Sequence, residues 1–350
     1  MTPQGCNPSG LSVGIMLWTS HIVAAMTETS QETLATLHAQ AYDAMHRGEL
    51  REASLAFERL LSQHPDRPYY HYMRGLAHKY LMDWPVSLHH NLRAIELSDE
   101  MDEAEHWNAA IAATALGEWA QARRLWAACG VHVQEGEGPI EGNHGVAVVR
   151  QNPWHAGETV FMQRIDPVRA RLLNVPLPES GHRFGDIVLH DGASTGRRFD
   201  GERDVPVFNE LERLVASDFQ TFVVFVSSPG PDDLQALLEA TAPGIGYTED
   251  WTRSIHHYCM RCSYGAPHLH SEQDDTCDDW QTERNLGIAA QSRHSVEALL
   301  QAWVSRGPGR SVDAIETCEC PVPEYQEGWN WWVGPEDEDE GDEATDTPAR

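Results

Sequence analysis

The sequence predicts a helical-hairpin array followed by α+β structure, and three observations carry that reading. Residues 32–130 hold a helical pattern that repeats about every 34 residues. Short strand-like runs follow between 145 and 190. From about residue 218 the pattern reads strand, helix, strand, strand, helix, strand.

The repeat comes first. Gly48, Ala53 and Phe57 recur as Gly117, Ala122 and Trp126, each 69 residues further on. Between them Gly75 falls 34 residues after Ala41, and Ala110 comes 35 after Gly75. Each unit reads as two antiparallel helices. The small residues of the first helix (Ala41, Gly75, Ala110) and of the second (Ala53, Ser87, Ala122) belong where the pair crosses most closely. The large residue four positions on (Phe57, Trp126) fills the gap to the next unit. Gly48 and Gly117 turn the chain between helices, and Pro65 stops the second helix. The middle unit departs from this plan, with Asn91 where the aromatic belongs and Asp99 where the proline does.

On these residues, and on Ala53-x3-Phe57 followed by Pro65, segment 32–132 resembles the tetratricopeptide-repeat (TPR) family. The resemblance implies a curved stack whose concave face, lined by the first helix of each unit, receives a peptide or partner helix. Tyr42, His46, Tyr72, His78, Trp107 and Asn108 are the candidate face residues.

Residues 133–144 are a Gly/Glu linker. Strand-like runs at 145–150, 158–165, 170–177 and 185–190 predict a small antiparallel sheet or barrel within 145–217. In the third unit, 218–335, the expected elements are strands at Thr221–Val226, Ile245–Trp251, Asn285–Ala290 and Ser311–Thr317. Helices are expected at Pro231–Thr241 and Ser295–Ser305. That order is the one found in a ferredoxin-like βαββαβ sandwich, here with a Cys/His insertion between its second and third strands. Trp329 and Trp331 are expected on one face of a strand, covering a sheet. The termini carry no fold signal: 1–31 reads as a disordered lead or a mis-assigned start, and 336–350 as an acidic disordered tail.

Charge narrows the partners. Against 54 acidic residues stand 25 basic ones, for a net charge of −29. Such a surface repels phosphate backbones, so nucleic acid is not an expected ligand, whereas a basic protein or peptide is steered inward. No apolar run is long enough to span a membrane. Seven cysteines, an odd number in a chain of this length, point to a reducing, cytoplasmic setting.

The chemistry-bearing residues concentrate in the insertion. Cys259-x2-Cys262 lets two thiolates reach one tetrahedral ion, and His268-x-His270 on extended chain points two imidazoles to one side, with Cys277 as a substitute ligand. A structural zinc site is the expectation. Cys318-x-Cys320, at the end of the last strand, is left outside it. Gly192-Ala193-Ser194-Thr195-Gly196 matches the serine-hydrolase G-x-S-x-G pattern, but a turn-rich polar stretch is expected after it in place of the required helix. No phosphate-binding loop occurs. The expected function is a non-enzymatic adaptor with no catalytic residues. Two alternatives stay open: an immunity or inhibitor protein against a basic bacterial toxin, and a zinc hydrolase in which only three of the Cys/His residues bind metal.

Overall fold

Three helical hairpins open the described part of the chain, which in this computed structural model comprises residues 33–255, 260–266 and 280–334. The helices are α1 (33–47), α2 (Leu50–Gln63), α3 (Pro68–Tyr80), α4 (Trp84–Leu97), α5 (Glu103–Ala115) and α6 (Trp119–Ala128). All three hairpin turns close with the same pair of backbone hydrogen bonds. Gly48 N reaches Met45 O and Glu49 N reaches Ala44 O; Met82 N and Asp83 N reach Lys79 O and His78 O; Gly117 N and Glu118 N reach Thr114 O and Ala113 O. The pivot lies in the left-handed region each time, with φ of +74° at Gly48, +58° at Met82 and +71° at Gly117. The middle unit therefore makes the same turn without a glycine, which is why its sequence repeat is blurred.

The crossings are equivalent too. Ala41, Ala110, Ala53, Ser87 and Ala122 are all fully buried. In the middle hairpin Ser87 Oγ donates to Gly75 O at 2.9 Å, and a Cβ on Gly75 would lie 2.7 Å from the Asn91 amide. Asn91 thus fills the space that Phe57 and Trp126 fill in the flanking units, tied back to Ser87 O through its Nδ2. The N-terminal part is a tetratricopeptide-like array.

The middle unit is a closed barrel of β1 (Val146–Gln151), β2 (Glu158–Arg164), β3 (Arg169–Leu172), β4 (Ile187–Phe199) and β5 (Asp204–Val215). Successive strands pair antiparallel, and β1 closes on β5 in parallel, Val148 opposite Val207 and Arg150 opposite Asn209. Alternate residues fill the interior: Ala147, Val149, Val160, Met162, Ala170, Leu172, Val188 and Phe208. Two expectations need correction. The run 170–177 ends as a strand at Leu172, because Asn174 Nδ2 and Val175 N turn away to the Glu249 carboxylate. The run 185–190 is only the start of a strand that continues to Phe199, and the polar stretch expected to be turn is held extended by pairing with β5.

The third unit is a sheet in the order β7-β8-β6-β9, built from β6 (Gln220–Ser227), β7 (Ile245–Asp250), β8 (Glu283–Ala290) and β9 (Ser311–Thr317), all paired antiparallel. Helices α7 (Pro231–Leu238) and α10 (Arg293–Ser305) share one face of it. Phe222, Val224 and Val226 of β6 and Leu286, Ile288 and Ala290 of β8 pack there on Leu234, Leu237, Val296, Leu299, Leu300 and Trp303. Each helix has a sequence-encoded start: Pro231 with Asp232 and Asp233 in one first turn, and Ser292 Oγ accepting from Ser295 N in the other. Two one-turn helices, α8 (Trp251–Ser254) and α9 (Met260–Ser263), follow β7.

After β9 the chain runs without regular structure from Cys318 to Gly334, as a strap back across the barrel to the array. The expectation of a strand face covering a sheet is corrected here. Trp331 is a wedge, fully buried, edge-on to Tyr80 of α3 (5.4 Å) and to Trp154 beside the barrel (5.8 Å). Among the described residues no helix is long and apolar enough to cross a membrane.

Candidate protein-binding surface

The six candidates lie on the first helices of the three hairpins, α1, α3 and α5, in different surroundings. Tyr42 and Tyr72 are half-buried. His46 is exposed, and Asn108 is buried and hydrogen-bonded to Tyr72. His78 is locked between Ser54 Oγ (2.8 Å) and the Asp83 carboxylate (3.1 Å), and burial lowers its pKa despite that carboxylate. Trp107 packs edge-on to Trp126 at 4.8 Å, and its outer edge is covered by the barrel: a Cβ on Gly192 of β4 would lie 2.8 Å from the ring.

The covering continues along α3. Lys79 Nζ donates to Asp191 Oδ1 at 2.9 Å and Tyr80 OH to Asp191 Oδ2 at 3.1 Å. Trp332 stacks on Tyr80 at 4.5 Å, and Trp84 Nε1 donates to Glu212 of β5 at 2.5 Å. At the first hairpin turn Gly328 N donates to Gly48 O, and the backbone of Trp329 lies where a Gly48 Cβ would stand. The chain's own barrel and strap therefore cover the end of α3, the turn at Gly48 and the outer edge of Trp107.

The start of α3 carries an aromatic shelf. Tyr69 is 48% exposed and stacks on Tyr42 at 6.0 Å with rings 14° apart. His38 and Tyr70 complete the group, at 4.7 Å from Tyr42 and 6.5 Å from Tyr69 respectively. Tyr42 OH makes no hydrogen bond within the described protein. Next to it, burial and then Asp102 and Glu105 raise the Tyr72 pKa, with the Asn108 hydrogen bond opposing them. Sequence reasoning missed Tyr69, although it precedes Tyr72 by three residues on the same helix face. It also missed Lys79 and Tyr80, whose partners lie more than a hundred residues away.

A second polar cluster sits at one end of the barrel. His182 Nδ1 donates to Ser180 O at 2.9 Å and its Nε2 meets Glu210 Oε1 at 2.6 Å, while Asn152 N donates to Glu210 Oε2 at 3.0 Å. Burial opposes the charge on His182, but the Glu210 carboxylate outweighs it and raises the pKa. Both ring nitrogens are hydrogen-bonded, so the imidazole ties the Ser180 turn to β5 at the barrel end. Ser194 lies inside β4 and donates to Gly196 O at 2.9 Å; the chain continues as strand after it.

Of the proposed zinc ligands, Cys259, His268, His270 and the substitute Cys277 lie outside the described residues. Cys262 is buried, with its carbonyl accepting from Gly265 N. Among the described residues no group of three or more His, Cys, Asp or Glu is placed to hold a metal.

No family model matches the chain, and no curated protein does. Solved structures are similar to it over the helical array. One is the TPR2B-domain:pHsp70-complex of yeast Sti1, 19% identical over 27% of this chain and 76% of that one, with a TM-score of 0.26. Another is a Thermobaculum terrenum O-GlcNAc transferase mutant, 21% identical over 28% of this chain and 19% of that one, at 0.26. The TPR2AB-domain:pHSP90-complex of yeast Sti1 is 18% identical over 34% of this chain and 48% of that one, also at 0.26.

Proposed function

We propose that the chain is a non-enzymatic adaptor that docks a basic peptide segment of another protein on the shelf formed by Tyr42, Tyr69 and Tyr70. The observation that carries this reading is the exposed aromatic group at the start of α3. The chain itself covers Lys79, Tyr80 and Trp107, yet Tyr69 stands 48% exposed beside Tyr42 and Tyr70. Exposed aromatic faces favour Lys and Arg side chains through cation–π contact. The net charge of −29 acts in the same direction at longer range. A reducing cytoplasmic setting belongs to this reading and is supported by the odd cysteine count.

The test titrates the full chain with a labelled Lys/Arg-rich peptide and with an acidic peptide of equal length, following fluorescence anisotropy. The basic peptide binds, more weakly as salt rises, and Tyr69→Ala lowers its affinity about tenfold. Equal binding of the acidic peptide, or no effect of Tyr69→Ala, overturns the reading.

The reading of 218–335 as a ferredoxin-like sandwich is supported by its strand order and by the two helices on one face. It brings no activity with it. Zinc at Cys259, Cys262, His268 and His270 is a separate proposal that rests on their spacing. It is tested by metal analysis of the purified chain and its Cys259→Ser variant.

A further inference from the structure

Chemistry that peptide docking does not use lies in a cleft between the barrel and the α+β unit, lined by Gly181, His182, Arg183, Thr221, Cys318 and Cys320. The two cysteines follow β9 on irregular chain, and their Sγ atoms meet at 3.7 Å. The backbone beneath them is pinned: a Cβ on Gly181 would lie 2.4 Å from Val322 N, and Trp154 Nε1 donates to Pro323 O at 3.2 Å. Arg183 and Glu319, paired at 3.2 Å, line the cleft beside the two cysteines. Thr221, whose hydroxyl makes no hydrogen bond within the described protein, lines the cleft as well. Both thiols are free, Cys318 exposed and Cys320 half-buried.

We propose that Cys318 and Cys320 form a dithiol–disulfide exchange site for small-molecule disulfides. Exposure makes Cys318 the attacking sulfur. Its thiolate attacks one sulfur of the incoming disulfide, a Cys318–substrate disulfide forms, and the other half leaves as thiolate. Cys320 then loses its proton to solvent and attacks Cys318 Sγ. The Cys318–Cys320 bond forms and the second half leaves. Two protein thiols are oxidised and one disulfide is reduced to two thiols, so the electrons balance with no other reactant.

A disulfide between them would include the exposed Cys318 sulfur and so stay open to reduction by an incoming thiol. Contact with Cys318 holds the Cys320 thiol above its ordinary pKa, so Cys320 keeps its proton until the first exchange has taken place.

The experiment incubates the folded full chain with oxidised glutathione, traps free thiols by alkylation and maps the peptide that carries both cysteines by mass spectrometry. The native chain should yield that peptide lacking two hydrogens and free of glutathione, reversibly on adding reduced glutathione. Cys320→Ser should accumulate a glutathione adduct at Cys318, and Cys318→Ser should react at least tenfold more slowly. A stable glutathione adduct on the native chain, equal rates for the two variants, or no reaction at either cysteine overturns the proposal. Circular dichroism verifies that each variant is folded.

Discussion

Lys79 on α3 and Asp191 on β4 form an ion pair of 2.9 Å between side chains that are each 4% exposed, and Tyr80 closes the other carboxylate oxygen. An enclosed pair of this kind is costly to break from one side, because the surviving charge is left without a partner. Asp191→Ala should destabilise the chain by about 3–5 kcal/mol in urea unfolding. Lys79→Met combined with Asp191→Leu should cost much less, because both charges leave together. A double variant as unstable as Asp191→Ala would show that the contact matters for packing and not for charge.

Gly48 and Gly117 make the same left-handed turn, but their surroundings differ. A Cβ on Gly117 would first meet the Trp119 ring at 3.7 Å, whereas one on Gly48 would lie 2.4 Å from the backbone oxygen of Trp329. Gly117→Ala should cost about 1–2 kcal/mol, the price of the backbone conformation alone. Gly48→Ala should cost at least about 1 kcal/mol more and release the strap, seen as faster proteolysis within residues 320–334. Equal costs would contradict the close contact between strap and turn.

Trp331 is wedged, fully buried, between Tyr80 of α3 and Trp154. Trp331→Ala should destabilise the chain by about 3–5 kcal/mol and uncover Tyr80. If the concave face docks basic peptides, this variant, assayed where it is still folded, binds them at least as tightly as the native chain. Loss of binding in a folded variant would place the strap within the docking site.

Glu158, at the barrel end, is pushed by burial from 4.5 up to about 8, with Leu177 N opposing the shift and Glu249 adding to it. The folded chain thus holds a proton that the unfolded chain has released. This contribution is complete below about pH 4.5 and is lost as pH rises to about 8, roughly 3–5 kcal/mol in all. Burial lowers His190 to about 4 and His90 to about 3, and theirs runs the other way: present above about 6.5, lost as pH falls through those values. Denaturation across pH 4 to 9 should show both limbs, and Glu158→Gln should flatten the alkaline one alone. An unchanged alkaline limb would rule out Glu158 as its source.

The array was legible because its spacing is enforced at every crossing: Ala53, Ser87 and Ala122 have no room to be large. Its middle turn was not, since Met82 adopts a conformation that sequence reserves for glycine. β5 escaped notice for a similar reason. Pro206 within it argues against a strand, yet it stands opposite Arg197 in the ladder. The concave face was legible only in part. Periodicity finds the residues that point into a groove, and Tyr42 and Tyr72 were among them. It does not report what fills the groove, and the Lys79–Asp191 contact spans 112 residues.

The barrel has an odd number of strands, five, each stepping antiparallel to the last, so its first and last must run the same way. A chain that comes in at one rim then goes out at the other. At the rim where the chain goes out, Gly181 meets Val322 and Trp154 Nε1 meets Pro323 O, while Gly328 already bonds Gly48. The strap is thus a tie from the exit side of the barrel to the first hairpin, with Trp331 near its inner end and two thiols at its outer end.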